Sequence, residues 1–421
     1  MKRALMVSWL FPPHGSIGAK RAWRFARHLP GHGWAPTVLC RRRPPASVHD
    51  PSDWSLPPEV TVSATYDAAW ISALGSAGST PANASMAEPS IARPLSARLS
   101  ERWDRFVDAV VPMETAIIHA PHAEREVDRL LPFHDVLWTT SYPYHSHVIG
   151  MRMARKHRRP WVADLRDPWT PNWVHRRKFA FARAVEARCE RDLFDRADAV
   201  VVTTETLAAM ERARFAVHAS KIHCVHNAFD AALAPSDPPR NGPQRWVHFG
   251  NVYGPWTLAT VFRAMAARPG AVVLENYGKL GDGDRALVRS LGLEGAVRVS
   301  GPIPYDRGLE VLRGADALVL AAWNHPDAGL YLQGKLYDYL AVGRPIVAES
   351  SQPELSSILQ RTGAGVTIAP GSVDSMVDVI DRLARDGSVS ERSRDDEAVS
   401  YYSAAQAAGR LAAIFAKVGA S

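Results

Sequence analysis

The chain has 421 residues, 46% hydrophobic and 22% charged, which exceeds a single compact core and suits two globular domains. Its formal charge of +7 favours anionic partners such as nucleic acid, anionic lipid or phosphorylated small molecules, and no nucleic-acid-binding signature accompanies it. Cys40, Cys189 and Cys224 lack ligand-like spacing, so they suggest neither a disulfide framework nor a zinc site, and a reducing cytoplasm is the expected compartment.

In chain order, the first apolar run, Ala4–Leu10, reads as a buried strand. Pro12 and Pro13 end it before a signal-peptide core forms, and no later stretch approaches the ~18 apolar residues of a membrane-spanning helix. A Pro/Gly-rich loop follows, with a helix from near Ala19. Further strands are predicted at Thr37–Cys40, Val136–Thr140, Trp161–Leu165 and Ala199–Val202. In the second half they fall at Trp246–Phe249, Val272–Leu274, Val297–Val299, Ala317–Leu320 and Ile346–Ala348. Strands alternating with helical patterns imply parallel sheets covered on both faces.

The stretch Ser72–Ser90, rich in Ala, Ser, Gly and Pro, reads as a surface loop, and Ala234–Gln244 as an interdomain linker. The expected division is 1–238 and 239–400, with 401–421 forming a helix that packs back across the domain seam. Basic clusters at Arg41–Arg43, Arg152–Arg159 and Arg176–Lys178 are either solvated faces or anion-binding patches.

Five segments carry candidate chemistry. Gly15 and Gly18 let the backbone approach a ligand at the carboxyl end of the first strand, and Arg21 lies in the first helical turn, within reach of an anion; a plain structural turn is the alternative. "TTSYPYHSHVIG" brings His145 and His147 to another strand end, where either could orient or deprotonate a hydroxyl. "WVADLRDPW" places Asp164, Arg166 and Asp167 at a strand's carboxyl edge, as acceptor-binding charges or as an internal pair fixing a turn. The Gly281–Asp284 "GDGD" is a turn in preference to a metal site. Lys335–Val342 reads as a helix between Gly334 and Gly343, with Lys335 and Asp338 on one face of its start. A nucleotide's diphosphate and ribose would satisfy both groups; an i,i+3 ion pair worth ~0.3 kcal/mol is the alternative.

Together "FPPHGSIGAKRAWRFARHLPGHGWAPTVL", "TTSYPYHSHVIG", "WVADLRDPW", "VHNAFD", "VHFGNVYGP", "VSGPI" and "GKLYDYLAVGRPIV" occur in the order seen in bacterial glycosyltransferases of the GT-B type, family-4-like group, which the chain resembles over nearly its whole length. The resemblance implies an α/β GT-B fold: two Rossmann-like parallel-sheet domains facing a central cleft. It implies a nucleotide-diphosphate sugar as donor, held by Gly250, Asn251, Pro302, Ile303, Lys335, Leu336 and Asp338 of the second domain. The acceptor, a glycan, lipid-linked molecule or small molecule, would meet Gly15, Gly18, Arg21, His145, Asp164 and Arg166 of the first. Lys335, His147 and Asp167 are the expected catalytic groups.

Transfer would proceed with retention and without metal or cofactor, in the cytoplasm or at the inner face of an anionic membrane. Two departures stand out. Leu330 occupies the place of the first of a family pair of glutamates, with Asp327 nearby but out of register, and "VYGPW" replaces an Arg/Lys pair. Leu330 keeps open a non-catalytic nucleotide-sugar-binding subunit. A sugar-nucleotide epimerase on the same architecture finds no matching acidic constellation.

Overall fold

The structure, a computed structural model, describes residues 1–42, 49–66, 106–107, 109–113, 115–173, 175–236, 242–323, 325, 327–390 and 392–420. The predicted loop Ser72–Ser90 lies outside the described residues, as do Arg43 of the first basic cluster and 237–241 of the predicted linker.

Two compact units result. The first contains a parallel sheet of β1 (Lys2–Val7), β2 (Trp34–Leu39), β3 (Thr61–Ser63), β4 (Val136–Thr140), β5 (Trp161–Leu165), β6 (Ala199–Val202) and β7 (Ile222–Cys224), in the order β3-β2-β1-β4-β5-β6-β7. Every residue of β4, β5 and β6 is buried, as central parallel strands between two helical layers require. The chain leaves this unit after Asn227, ahead of the predicted boundary, and residues from Ala404 onward return to it. The returning helix, Ala404–Val418, packs on the Ile17–His28 helix region: Phe415 meets Trp34 edge-on at 5.2 Å, and His32 Nε2 lies 2.9 Å from the Ala405 carbonyl. Gly409 permits this approach, because a Cβ there would come within 2.9 Å of the His32 ring. This terminal helix belongs to the first unit.

The second unit runs from Ala228 to Ser403. Its strands are β8 (Gln244–Phe249), β9 (Trp256–Thr257), β10 (Val272–Tyr277), β11 (Val297–Val299), β12 (Ala317–Leu320), β13 (Ala322–Trp323), β14 (Ile346–Glu349) and β15 (Gly365–Ile368). The main sheet is parallel in the order β11-β10-β8-β12-β14-β15, and β9 and β13 form a separate antiparallel ribbon. Both sheets have Rossmann order: the first strand lies inside, and successive crossovers reverse direction beside it, between β1 and β4 and between β8 and β12. Ligands of such sheets bind at the carboxyl ends of the strands flanking that reversal.

The segment after β5 is fixed from below by a buried acidic pair. Glu190 accepts Thr170 N at 3.1 Å, and Arg214 bridges Glu190 Oε2 at 2.8 Å and Glu211 Oε2 at 2.6 Å. Burial and the neighbouring Glu190 carboxylate push Glu211 up to about 7. Between the usual carboxylate range and pH 7 the folded protein thus holds a proton that the unfolded chain has released, so stability falls as pH rises through that window. Glu211→Gln keeps the acceptor for Arg214 and removes this loss. We expect a thermal midpoint ~2–4 °C higher than wild type at pH 8 and no gain at pH 5, readable by calorimetry; an equal gain at both pH values would contradict the assignment.

Candidate functional site

The Lys335–Val342 helix begins at Gly334 and ends at Gly343, whose φ of 76° is a left-handed cap open to glycine. Leu336, Tyr337, Tyr339, Leu340 and Val342 anchor it in the core, leaving Lys335 at its amino end. Lys335 Nζ lies 2.8 Å from Nε2 of His248, a fully buried residue of β8. Burial pushes the lysine down to about 7, and burial together with the Lys335 charge holds His248 well below its ordinary value. Gly250, just past β8, has φ 129°, and a Cβ there would stand 2.9 Å from Nζ, so a glycine is what lets the amine lie over the backbone at this strand end.

Asp338, one turn on, is buried, and its Oδ1 accepts the Tyr305 hydroxyl at 2.7 Å. Lysine and aspartate thus face separate partners, His248 and Tyr305. The backbone N–H groups of Leu336 and Tyr337 donate to Gln333 O at 3.0 Å and Gly334 O at 3.3 Å. The positive charge at this helix end is therefore that of the Lys335 side chain. Leu336, expected among the donor-binding residues, has its side chain in the core and its N–H occupied in this turn, so neither is offered to a ligand. Asn251 Oδ1 accepts Lys279 N at 2.8 Å and ties the loop after β8 to the loop after β10. Pro302 is exposed and Ile303 half-buried, between β11 and the Tyr305–Arg313 helix.

Where the sequence carries "VYGPW", Trp256 faces Trp323 across the β9–β13 ribbon, stacked at 5.1 Å, and Trp323 stacks on His325 at 5.3 Å. The "GDGD" segment is a helix start, not a free turn: Asp284 accepts Thr257 Oγ1 at 2.7 Å and Leu258 N at 3.1 Å.

In the first unit the predicted acceptor residues separate into two groups. Arg21 and Asp164 are engaged with each other: Nε reaches Oδ2 at 3.0 Å and Nη2 reaches Oδ1 at 2.6 Å, both side chains being buried. Thr140 donates to Asp164 Oδ2 at 2.7 Å, while Arg21 Nη1 donates to the His226 carbonyl at 3.1 Å. The pair staples the Ile17–His28 helix to β4, β5 and the end of the first unit; Asp164 thus has a distant partner that neither sequence alternative named, and the local pair within this segment is Arg166–Asp167.

His145 and His147 likewise lie in the core at the start of the His145–His157 helix, and not on an open loop. His145 Nε2 meets the Tyr66 hydroxyl and His147 Nδ1 the Thr139 hydroxyl, each at 2.9 Å. Burial brings both down to about 3, so neither gains a proton near neutrality.

The second group sits against the loop after β1. Arg166 pairs with Asp167 at 3.0 Å and lies flat on Gly18, where a Cβ would overlap its guanidinium. Gly15 is exposed in the same loop. His14, absent from the sequence expectations, is pushed down to about 4 by burial and by the positive charges of Arg41 and Arg166. A neutral histidine in a field of two arginines is compatible with an anion. Tyr305, His248 and Asn276 were missed as well; a histidine inside an apolar strand gives no signal beyond a satisfied core residue.

Two parallel-sheet units of Rossmann order in one chain are the architecture of the GT-B class of glycosyltransferases. The glycosyl transferase 4-like domain matches residues 18–228 and the glycosyl transferases group 1 domain residues 245–386. The chain belongs to the glycosyl transferase 4-like family and is a sugar-transferring enzyme.

Among solved structures, sucrose-phosphate synthase from Thermosynechococcus elongatus is 15% identical over 100% of this chain and 97% of its own, with a TM-score of 0.54. Anabaena HepE in complex with UDP is 14% identical over 100% and 98%, with a TM-score of 0.55. The lipopolysaccharide outer core galactosyltransferase WaaB is 14% identical over 99% and 100%, with a TM-score of 0.58. At such identities the likeness is one of fold. No curated protein matches the sequence.

Asp164→Asn isolates the structural part of the Arg21 pair. Left without its counter-charge, buried Arg21 should cost ~3–5 kcal/mol of stability in denaturant titration; a variant as stable as wild type would return Arg21 and Asp164 to the acceptor site.

Proposed function

We propose that the enzyme moves a sugar from a nucleotide-diphosphate sugar to a hydroxyl-bearing acceptor, with retention and without a metal, in building a cell-surface polysaccharide or a natural-product glycoside. The observation that carries this reading is the Lys335 amine, held over Gly250 at the carboxyl end of β8. That edge, beside the β8–β12 reversal, is where parallel sheets of this order bind ligands, and a lysine there matches a diphosphate. HepE, of the same fold, is crystallised with UDP and with UDP-glucose, which supports uridine nucleotides as the first donors to test.

The donor diphosphate lies against Lys335, and Asp338, a buried carboxylate one turn further along the same helix, takes the ribose. Because no carboxylate nucleophile is evident among the described residues, the acceptor oxygen bonds to the anomeric carbon as the bond from that carbon to the phosphate oxygen breaks, and the departing phosphate takes the acceptor's proton on the same face of the sugar. Charge building on that phosphate is stabilised by the preorganised lysine.

Release of UDP from a panel of UDP-sugars by purified enzyme tests the activity, and tight binding without release would favour the non-catalytic reading that Leu330 keeps open. Lys335→Ala should lower turnover by ~100-fold or more. The lysine at about 7 adds a pH signature. As pH rises above that value the free enzyme loses its positive charge, so UDP affinity should fall toward pH 9 in wild type and stay flat in Lys335→Ala; parallel profiles would remove Lys335 from the donor site.

A further part of the proposal concerns the acceptor. Phe106 (51% exposed), Phe179 (50%) and Phe181 (54%) form an apolar group beside exposed Arg176 and Arg177, whereas Lys178 is buried in an ion pair with Glu186 at 2.6 Å. Aromatic rings next to arginines suit an anionic membrane carrying a lipid-linked acceptor. No helix among the described residues is long and apolar enough to cross a membrane. Wild type should sediment with vesicles containing phosphatidylglycerol and not with phosphatidylcholine alone, and Phe179→Ser/Phe181→Ser should reduce this by ~10-fold; sedimentation indifferent to lipid charge would eliminate the docking surface.

A further inference from the structure

The Lys335 amine is the last member of a fixed chain of hydrogen bonds. Its Nζ donates to His248 Nε2 at 2.8 Å; His248 Nδ1 meets Asn276 Oδ1 at 2.9 Å; Asn276 Nδ2 donates to the Gly278 carbonyl at 2.9 Å. His248 and Asn276 are fully buried. Both ends set the direction of every bond. A carbonyl only accepts, which orients the Asn276 amide and makes its Oδ1 the acceptor for His248 Nδ1–H. An ammonium only donates, which requires a bare Nε2. The imidazole is therefore neutral, with its proton on Nδ1. Backbone packing closes the arrangement: Gly278 has φ 156°, and a Cβ there would lie 2.2 Å from the Gly250 carbonyl oxygen, beneath the amine.

A lysine at a functional site is commonly held by a carboxylate, which fixes its position but cancels its charge. His248 fixes the same amine without contributing charge. In the protonated amine one of the three N–H groups is taken by His248, and the other two, with a positive charge that no carboxylate offsets in this chain of bonds, are left for a ligand. The titratable groups around the amine are His248 from β8, Asp338 from its own helix with Tyr305 from the preceding one, and Tyr339, whose hydroxyl accepts Phe249 N at 2.9 Å.

We propose that His248, locked by Asn276, is a positioning residue that aims the Lys335 ammonium at the donor diphosphate while leaving its charge uncompensated. The proposal rests on the reading of Lys335 as the diphosphate-binding group and adds how that group is oriented.

A double-mutant cycle read by calorimetric binding of UDP tests it. His248→Phe keeps the ring and removes the acceptor, and should weaken UDP binding by ~10-fold or more in the wild-type background but not in Lys335→Ala. His248→Gln, which restores an acceptor, should stay within ~3-fold of wild type. Asn276→Leu leaves His248 in place and frees its far nitrogen; its loss should likewise vanish in Lys335→Ala, and it carries the cycle if His248→Phe does not fold. Equal losses in both backgrounds, or no loss in either, overturn the proposal.

Should wild type bind neither UDP nor GDP, the donor-site reading fails while the positioning claim is still tested by lysine labelled with carbon-13 at Cε. His248→Phe, which removes the acceptor, should move the Lys335 titration downward from its wild-type midpoint, and Asn276→Leu, which frees the imidazole to turn its proton toward the amine, should move it the same way; an unchanged midpoint in both overturns the claim.

Discussion

The second unit depends on one ammonium group being kept at a strand end by a neutral partner. Burying a lysine beside a histidine is costly unless its N–H groups are met. Here the cost is contained because the charge lies at the rim of the sheet, just past the carboxyl end of β8, and one N–H is satisfied by His248. Gly250 and Gly278 follow from this constraint: side chains at either position would push the amine or the backbone beneath it away. The brevity of the Lys335–Val342 helix follows too, since its apolar residues fasten it to the core over barely two turns and Gly343 ends it before β14.

The first unit handles charge in the opposite way. Arg21 and Asp164 neutralise each other with two parallel hydrogen bonds, and Thr140 and the His226 carbonyl occupy remaining sites. Such a pair contributes specificity of placement more than net stability, because desolvation offsets much of the attraction. It locks the Ile17–His28 helix to the carboxyl ends of β4 and β5, so the loop after β1 and the Arg166–Asp167 segment emerge from a rigid base. The histidines at the start of the His145–His157 helix belong to that base as well.

What could be read in the sequence follows the same physics. β4, β5 and β6 announce themselves as uninterrupted apolar runs because all their residues are buried, and the boundaries read from those runs coincide with the strands. β3 and β7 are three residues long at the sheet's edges, and β15 is a four-residue edge strand, too short to give a period. The helix from Lys335 was legible through its flanking glycines. Its charges were visible, but their partners were not: His248 lies 87 residues from Lys335, and Asp164 lies 143 from Arg21. Spacing along the chain carries local information only. A charged residue at a strand end therefore reads the same whether it awaits a ligand or already holds a distant partner.

The net charge of +7 narrows accordingly. Within the Arg152–Arg159 cluster, Arg152 pairs with Glu124 at 2.7 Å and Lys156 with Asp128 at 2.7 Å, which makes that stretch a solvated face of ion pairs. Lys178 and Arg21 are buried against acids. Other cations stand in distinct settings: Arg176 and Arg177 beside exposed phenylalanines, Arg41 and Arg166 around the neutral His14, and Lys335 on its neutral histidine. In the last two places a histidine stands next to cations and is kept unprotonated by them and by burial. At the first of them Arg166 is paired with Asp167, whereas Lys335 is held by a partner that carries no charge. Charge of that kind, and not the overall excess, is what a phosphorylated substrate can use.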